Sequence, residues 1–86
     1  MFTKEKFGGR LRKLRQSRGE KQADLAAILD VRKSQVSEME NGNRTTTLEK
    51  FALICEHYQV SADYLLGLTS PKGGNIYGKQ SNRPDQ

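Results

Sequence analysis

The amino-acid sequence predicts an all-α fold, and three observations carry that prediction. Large apolar residues recur three and four positions apart between Phe7 and Leu66, the spacing that lines one face of a helix. No segment alternates apolar and polar residues at period two, so strands have no support. Gly19, Gly42 and Gly67 fall where the helical patterns break, and glycine just past a periodic run is a helix stop.

The first helix is expected from Thr3 to Arg18, with Thr3 as N-cap, Phe7, Leu11 and Leu14 as its apolar stripe, and Arg10, Arg12, Lys13 and Arg15 on the other faces. The Gly8-Gly9 pair costs about 1 kcal/mol per glycine relative to alanine, so the first turns should fray. A second helix, Gln22 to Leu29, carries Leu25, Ile28 and Leu29 on one stripe. Asp30-Val31 interrupts the pattern, and a third helix from Lys33 to Asn41 resumes it with Val36 and Met39. Helices this short are marginal alone and must be held by packing. Gly42 reads as a left-handed C-cap. In the polar loop that follows, Thr46 and Glu49 form a capping-box signature for a fourth helix, whose apolar face is Leu48, Phe51, Ala52, Cys55 and Tyr58. Ser61 caps a last helix, Ala62 to Leu66, closed by Gly67 with Leu68 beyond it. From Thr69 the chain is rich in Gly, Pro, Ser, Asn and Gln, which predicts a flexible polar tail over 69–86 after a folded domain over 1–68.

Eighty-six residues with 34% hydrophobic content and no Trp leave no room for a large enzyme with its own cleft and favour a small binding module. Fifteen Lys and Arg against ten Asp and Glu give a formal charge of +5. A positive surface concentrates phosphates and speeds encounter with them, although charge alone does not separate nucleic acid from an acidic membrane. Cys55 is the one cysteine and His57 the one histidine, so neither an internal disulfide nor a zinc site can be assembled. No metal, cofactor or catalytic set is expected. No apolar run suits a secretion signal or the roughly 20 residues of a membrane span, so a reducing, cytoplasmic protein is expected. Cys55, on the apolar stripe, reads as a core thiol; His57 reads as a surface residue.

The informative spacing lies between Gln22 and Met39. Ala26 stands four positions after Gln22, the break falls at Asp30, and Val31, Val36 and Met39 supply the apolar contacts of the following helix. A small side chain at Ala26 lets two helices approach across a tight turn, as a helix-turn-helix requires. From Phe7 to Gly67 the sequence resembles the Cro and lambda-repressor type of helix-turn-helix family. The residues that carry the resemblance are Arg15, Gln22, Leu25-Ala26, Val31, Ser34, Val36, Ser37, Glu40-Asn41-Gly42, Leu48 and the ending Val60 to Gly67. The resemblance implies a compact five-helix lambda-repressor-like domain that binds duplex DNA as a dimer and regulates transcription, with a repressor the expected sense. Asp30 stands where the family turn usually has glycine, Arg32 where Ser or Thr usually caps the third helix, Thr46 where proline is common and Met39 where an aromatic or leucine is; Asp30 and Arg32 make operator specificity hard to borrow.

With Val36, Met39 and Glu40 on one side of the third helix, the opposite side must present Ser34, Ser37, Glu38 and Asn41 to the major groove. Arg32 and Lys33 at its tip suit guanine O6 and N7 or phosphate, Ser34 and Ser37 can donate or accept, and Glu38 can accept from cytosine N4. Glu38 is otherwise a solvated carboxylate paired with Lys or Arg, and Ser37 otherwise a plain surface residue. For the DNA backbone the candidates are Lys21 and Gln22, at the N-terminus of the second helix, where free N–H groups face phosphate, and Asn41, Asn43 and Arg44 after the third. Arg44 is otherwise a solvated loop arginine. The resemblance also implies an ion pair between Arg15 and Glu40 that ties the first helix to the third. The resemblance further implies dimerisation through the last helix and the loop before it, which makes Leu53, Tyr64, Leu65 and Leu68 the candidates for an isologous contact and predicts a pseudo-palindromic operator.

A competing reading is an antitoxin-like or other protein-interaction module with secondary DNA binding. The segment from Ser70 to Gln86 is too polar and Gly-rich to resemble a helix that fills a toxin groove, which weighs against it.

Overall fold

The computed structural model describes residues 1–68; the expected tail, 69–86, lies outside the described residues. Five helices follow in order: α1 (Lys4–Ser17), α2 (Gln22–Leu29), α3 (Lys33–Glu40), α4 (Leu48–Tyr58) and α5 (Ala62–Leu66). Among the described residues there is no strand, and no helix is long and apolar enough to cross a membrane. Each helix contributes to one core: Phe7 and Leu11, then Leu25, Ala26 and Leu29, then Val36 and Met39, then Ile54 and Tyr58, and finally Leu65.

One device ends all five helices. A left-handed residue, Gly19, Asp30, Gly42, Gln59 or Gly67, follows each, and the next residue's N–H reaches back to a carbonyl in the last turn. The donors and acceptors are Glu20 to Arg15 (3.1 Å), Val31 to Ala26 (3.0 Å), Asn43 to Glu38 (2.9 Å), Val60 to Cys55 (3.1 Å) and Leu68 to Asp63 (2.9 Å). This is the Schellman arrangement, which satisfies carbonyls that have no partner within the helix. Glycine marks three of the stops in the sequence; Asp30 and Gln59 accept the same conformation at some strain.

At its start, α1 is capped as its sequence predicts, the Thr3 hydroxyl accepting from the Lys6 N–H at 3.1 Å. Gly8, however, is a contact point rather than a weak one. A Cβ there would lie 2.1 Å from the Met39 carbonyl oxygen and 2.8 Å from that of Glu40, so α1 and the end of α3 meet backbone to backbone. On α2 the buried set is Leu25, Ala26 and Leu29, while Ile28, expected on the stripe, is 38% exposed.

The register of α4 differs most from expectation. Its cap is Thr47, not Thr46: the Thr47 hydroxyl accepts from the Lys50 N–H at 3.2 Å. The buried arc runs through Phe51, Ile54, Cys55 and Tyr58, so Leu48 and Ala52 fall on its flank and Leu48 is 82% exposed. The Lys50 ammonium then crosses to the Leu29 carbonyl at 2.9 Å, placing a cation at the C-terminal end of α2, where the helix dipole favours it.

Candidate nucleic-acid interface

The orientation of α3 follows from what it buries. Val36 and Met39 are sealed in the core and Glu40 is 7% exposed, which turns Lys33, Ser34 and Glu38 to solvent and leaves Ser37 half-buried. At the N-terminus, Arg32 has no capping oxygen. Instead the Gln35 side chain reaches back to accept the Arg32 N–H at 3.1 Å, leaving the Arg32 and Lys33 side chains exposed at the tip.

Arg15 fixes this helix from behind. Its Nε donates to Glu40 Oε2 at 2.6 Å and its Nη2 to Oε1 at 3.0 Å, a two-pronged contact matching the planar geometries of both groups. A further donor, Nη1, holds the Glu20 carbonyl at 2.7 Å. The hydrogen bond to Glu40 raises the Arg15 pKa against the opposing effect of burial, so the guanidinium stays charged at all working pH. Gln22 joins the same carboxylate, Nε2 donating to Glu40 Oε1 at 3.1 Å. First, second and third helices therefore converge on one buried carboxylate. At the start of α2, Asp24 accepts the Lys21 N–H at 2.8 Å, so that donor is already engaged while the Lys21 side chain stays exposed.

Beyond α3, the exposed residues Asn41, Asn43 and Arg44 lie along the turn made by Gly42. Arg44 Nη1 donates to Glu38 Oε1 at 2.9 Å, with both side chains about half exposed. The structure thus brings together one residue expected to read bases and one expected to hold phosphate.

The four dimer candidates separate. Leu53 is 42% and Tyr64 36% exposed, and Leu68 is half-buried. Leu65 is not available for a contact between copies: it is fully buried, because the short α5 turns this residue onto the shared core.

Sequence reasoning missed a polar cluster linking the turn after α1 to α4. Glu20 Oε1 accepts from the Tyr58 hydroxyl at 2.6 Å and Oε2 lies 2.6 Å from His57 Nε2. His57 is therefore a partner of Glu20 and not a plain surface residue. Arg18 closes the cluster, Nη2 donating to the Tyr58 carbonyl at 2.8 Å with the guanidinium over the Tyr58 ring. Burial first, then the hydrogen bond and charge of Glu20, push the Tyr58 phenol well above its ordinary range. The signal in the sequence was only the placement of Glu20 beside a helix stop, which points nowhere by itself. Burial also raises the Cys55 thiol, consistent with a packing role.

The helix-turn-helix family profile matches residues 11–65. The transcriptional regulator PrpR of Mycobacterium tuberculosis is 44% identical over 63 residues, a match that covers 73% of this chain but only 13% of that protein. Among solved structures, the restriction-modification controller protein C.AhdI of Aeromonas hydrophila is 31% identical with a TM-score of 0.64, over 72% of this chain and 94% of that one. The clp gene regulator ClgR of Corynebacterium glutamicum is 28% identical with a TM-score of 0.67, over 73% of this chain and 67% of that one. The controller protein C.Esp1396I, solved as a tetramer on its natural 35 base-pair operator, is 25% identical with a TM-score of 0.61, over 78% of this chain and 88% of that one. With its tight α2–α3 corner, its outward-facing α3 and these likenesses, the chain belongs to the Cro and lambda-repressor type of helix-turn-helix family.

Proposed function

We propose that two copies of the chain bind one pseudo-palindromic operator, each laying the outer face of α3 in the major groove, and that the complex represses transcription. The observation that carries this reading is the burial split on α3, with Val36, Met39 and Glu40 inward and Lys33, Ser34 and Glu38 outward. A groove about 12 Å wide admits one helix, and each base pair shows a distinct donor and acceptor pattern there. Arg32, Lys33, Ser34, Ser37 and Glu38 are the proposed base readers. Lys21, Gln22, Asn41, Asn43 and Arg44 are the proposed phosphate contacts, because they flank the two ends of the α2–α3 unit. Gln22 has a double task, since its amide already braces Glu40.

Leu53, Tyr64 and Leu68 are the proposed dimer contacts, and two-fold symmetry then sets half-sites about 34 Å apart. The role is that of a binding module in the cytoplasm rather than an enzyme. A gel-shift on the DNA upstream of its own gene tests the proposal. Binding should fall by on the order of a thousandfold between about 50 and 200 mM salt if about six phosphates are neutralised. Salt-insensitive association, or no preference for that DNA over random duplex, would refute it.

A further inference from the structure

Glu38 is the one acidic residue on the outer face of α3. A carboxylate there is repelled by a phosphate backbone unless a cation screens it or a base amino group donates to it. The turn after α3 supplies the cation. With Gly42 left-handed at φ 79°, the Asn43 N–H donates to the Glu38 carbonyl at 2.9 Å, and the reversed chain delivers Arg44 Nη1 to Glu38 Oε1, also at 2.9 Å. Successive residues of the turn therefore hold both the backbone and the side chain of Glu38.

An exposed pair of this kind adds at most about 1 kcal/mol to stability, so its consequence lies in orientation and charge. One carboxylate oxygen faces Arg44, which leaves Oε2 as the acceptor for a donor in the groove. A guanidinium carries five N–H donors, so the same side chain retains capacity for phosphate. We infer that Arg44 is a positioning residue for Glu38: held together by the Gly42 turn, the two read one C·G pair through the cytosine amino group, with Arg44 screening the carboxylate from the backbone. The inference rests on the proposed operator reading and adds a base identity and a division of labour to it.

The test starts from duplexes selected by the full chain out of random DNA. Wild type, Glu38→Ala, Arg44→Ala, Arg44→Lys and the double variant Glu38→Ala/Arg44→Ala are then titrated against the selected site and each of its single-base variants. Circular dichroism melting serves as the control for folding. Glu38→Ala, which removes the acceptor, should abolish an about tenfold preference at one C·G position. Arg44→Ala should lose the same preference at that position and no other, Arg44→Lys should restore part of it, and the double variant should discriminate no worse than either single one. If Arg44→Ala instead weakens all duplexes equally and lowers the salt slope by about one, Arg44 is a phosphate clamp alone and the inference fails while operator binding stands. A preference that survives Glu38→Ala also overturns it. Failure to select any duplex sequence overturns the inference together with the operator proposal.

Discussion

Removing one member of the Arg15 and Glu40 pair strands the other in a site where Glu40 has a side-chain exposure of 1% and Arg15 of 11%. Breaking a buried pair from one side costs about 3 to 5 kcal/mol, so Arg15→Met should lower the urea midpoint by that equivalent and disorder the seating of α3. Gly8 gives a prediction whose sign opposes helix propensity. Alanine would gain about 1 kcal/mol as a helix former, but its Cβ would meet two backbone oxygens, and overpacking against groups that cannot move costs about 1 to 3 kcal/mol or more. Gly8→Ala should therefore destabilise the fold, while Gly9→Ala, where nothing lies within 4 Å, should stabilise it; thermal melts of the two distinguish the cases. Tyr58 sets an alkaline limit. Its folded pKa is raised above the ordinary 10.0, so the folded state keeps a proton that the unfolded chain gives up. That contribution is complete below pH 10.0 and is lost as pH climbs toward the folded value. Tyr58→Phe should accordingly flatten the fall in urea midpoint from about pH 9 to about pH 11.

At the scale of the element, capping distinguishes the structure from the sequence pattern. Thr47→Ala should cost about 1 kcal/mol in α4 stability, as loss of a cap does, whereas Thr46→Ala should stay within about 0.5 kcal/mol; paired denaturation curves decide it. Thr46 has the capping-box partner Glu49 in the sequence, whereas Thr47 caps through the Lys50 N–H alone, in register with the burial of Phe51 and Ile54 against the core. The bounds of α5 were legible because Ser61 and Gly67 carry start and stop chemistry of their own. The face of α4 was not. Leu48, Phe51, Ala52, Cys55 and Tyr58 satisfy helical spacing as well as Phe51, Ile54, Cys55 and Tyr58 do, and apolar character alone cannot centre the arc. Ile28 and Ala26 show the same limit: the tight corner at Asp30 favours the smaller side chain for the inner position. For the interface, the outward side of α3 could be read from Val36 and Met39. The contacts of Arg44 with Glu38 and of His57 with Glu20 join residues whose meeting depends on the path of a turn, which residue types alone do not encode.

For the whole molecule, the core residue Leu65 and the proposed dimer contact Leu53 should separate fold stability from assembly. Leu65→Ala should cost about 2 to 5 kcal/mol of folding stability, as core truncations do, and lower the melting temperature at any concentration. Leu53→Asp should leave the melt of the isolated domain nearly unchanged and shift sedimentation toward the monomer, with operator affinity falling in step. A dimer that persists in Leu53→Asp would place the contact elsewhere on the surface. The abutment at Gly8 has a consequence for evolvability. Because main chain sets the height of α3 against α1, the residues along its outward edge can be exchanged without altering how far it stands from the scaffold. Transplanting those side chains from another regulator should therefore retarget the protein while its melting curve stays in place, making the domain a socket for interchangeable readers.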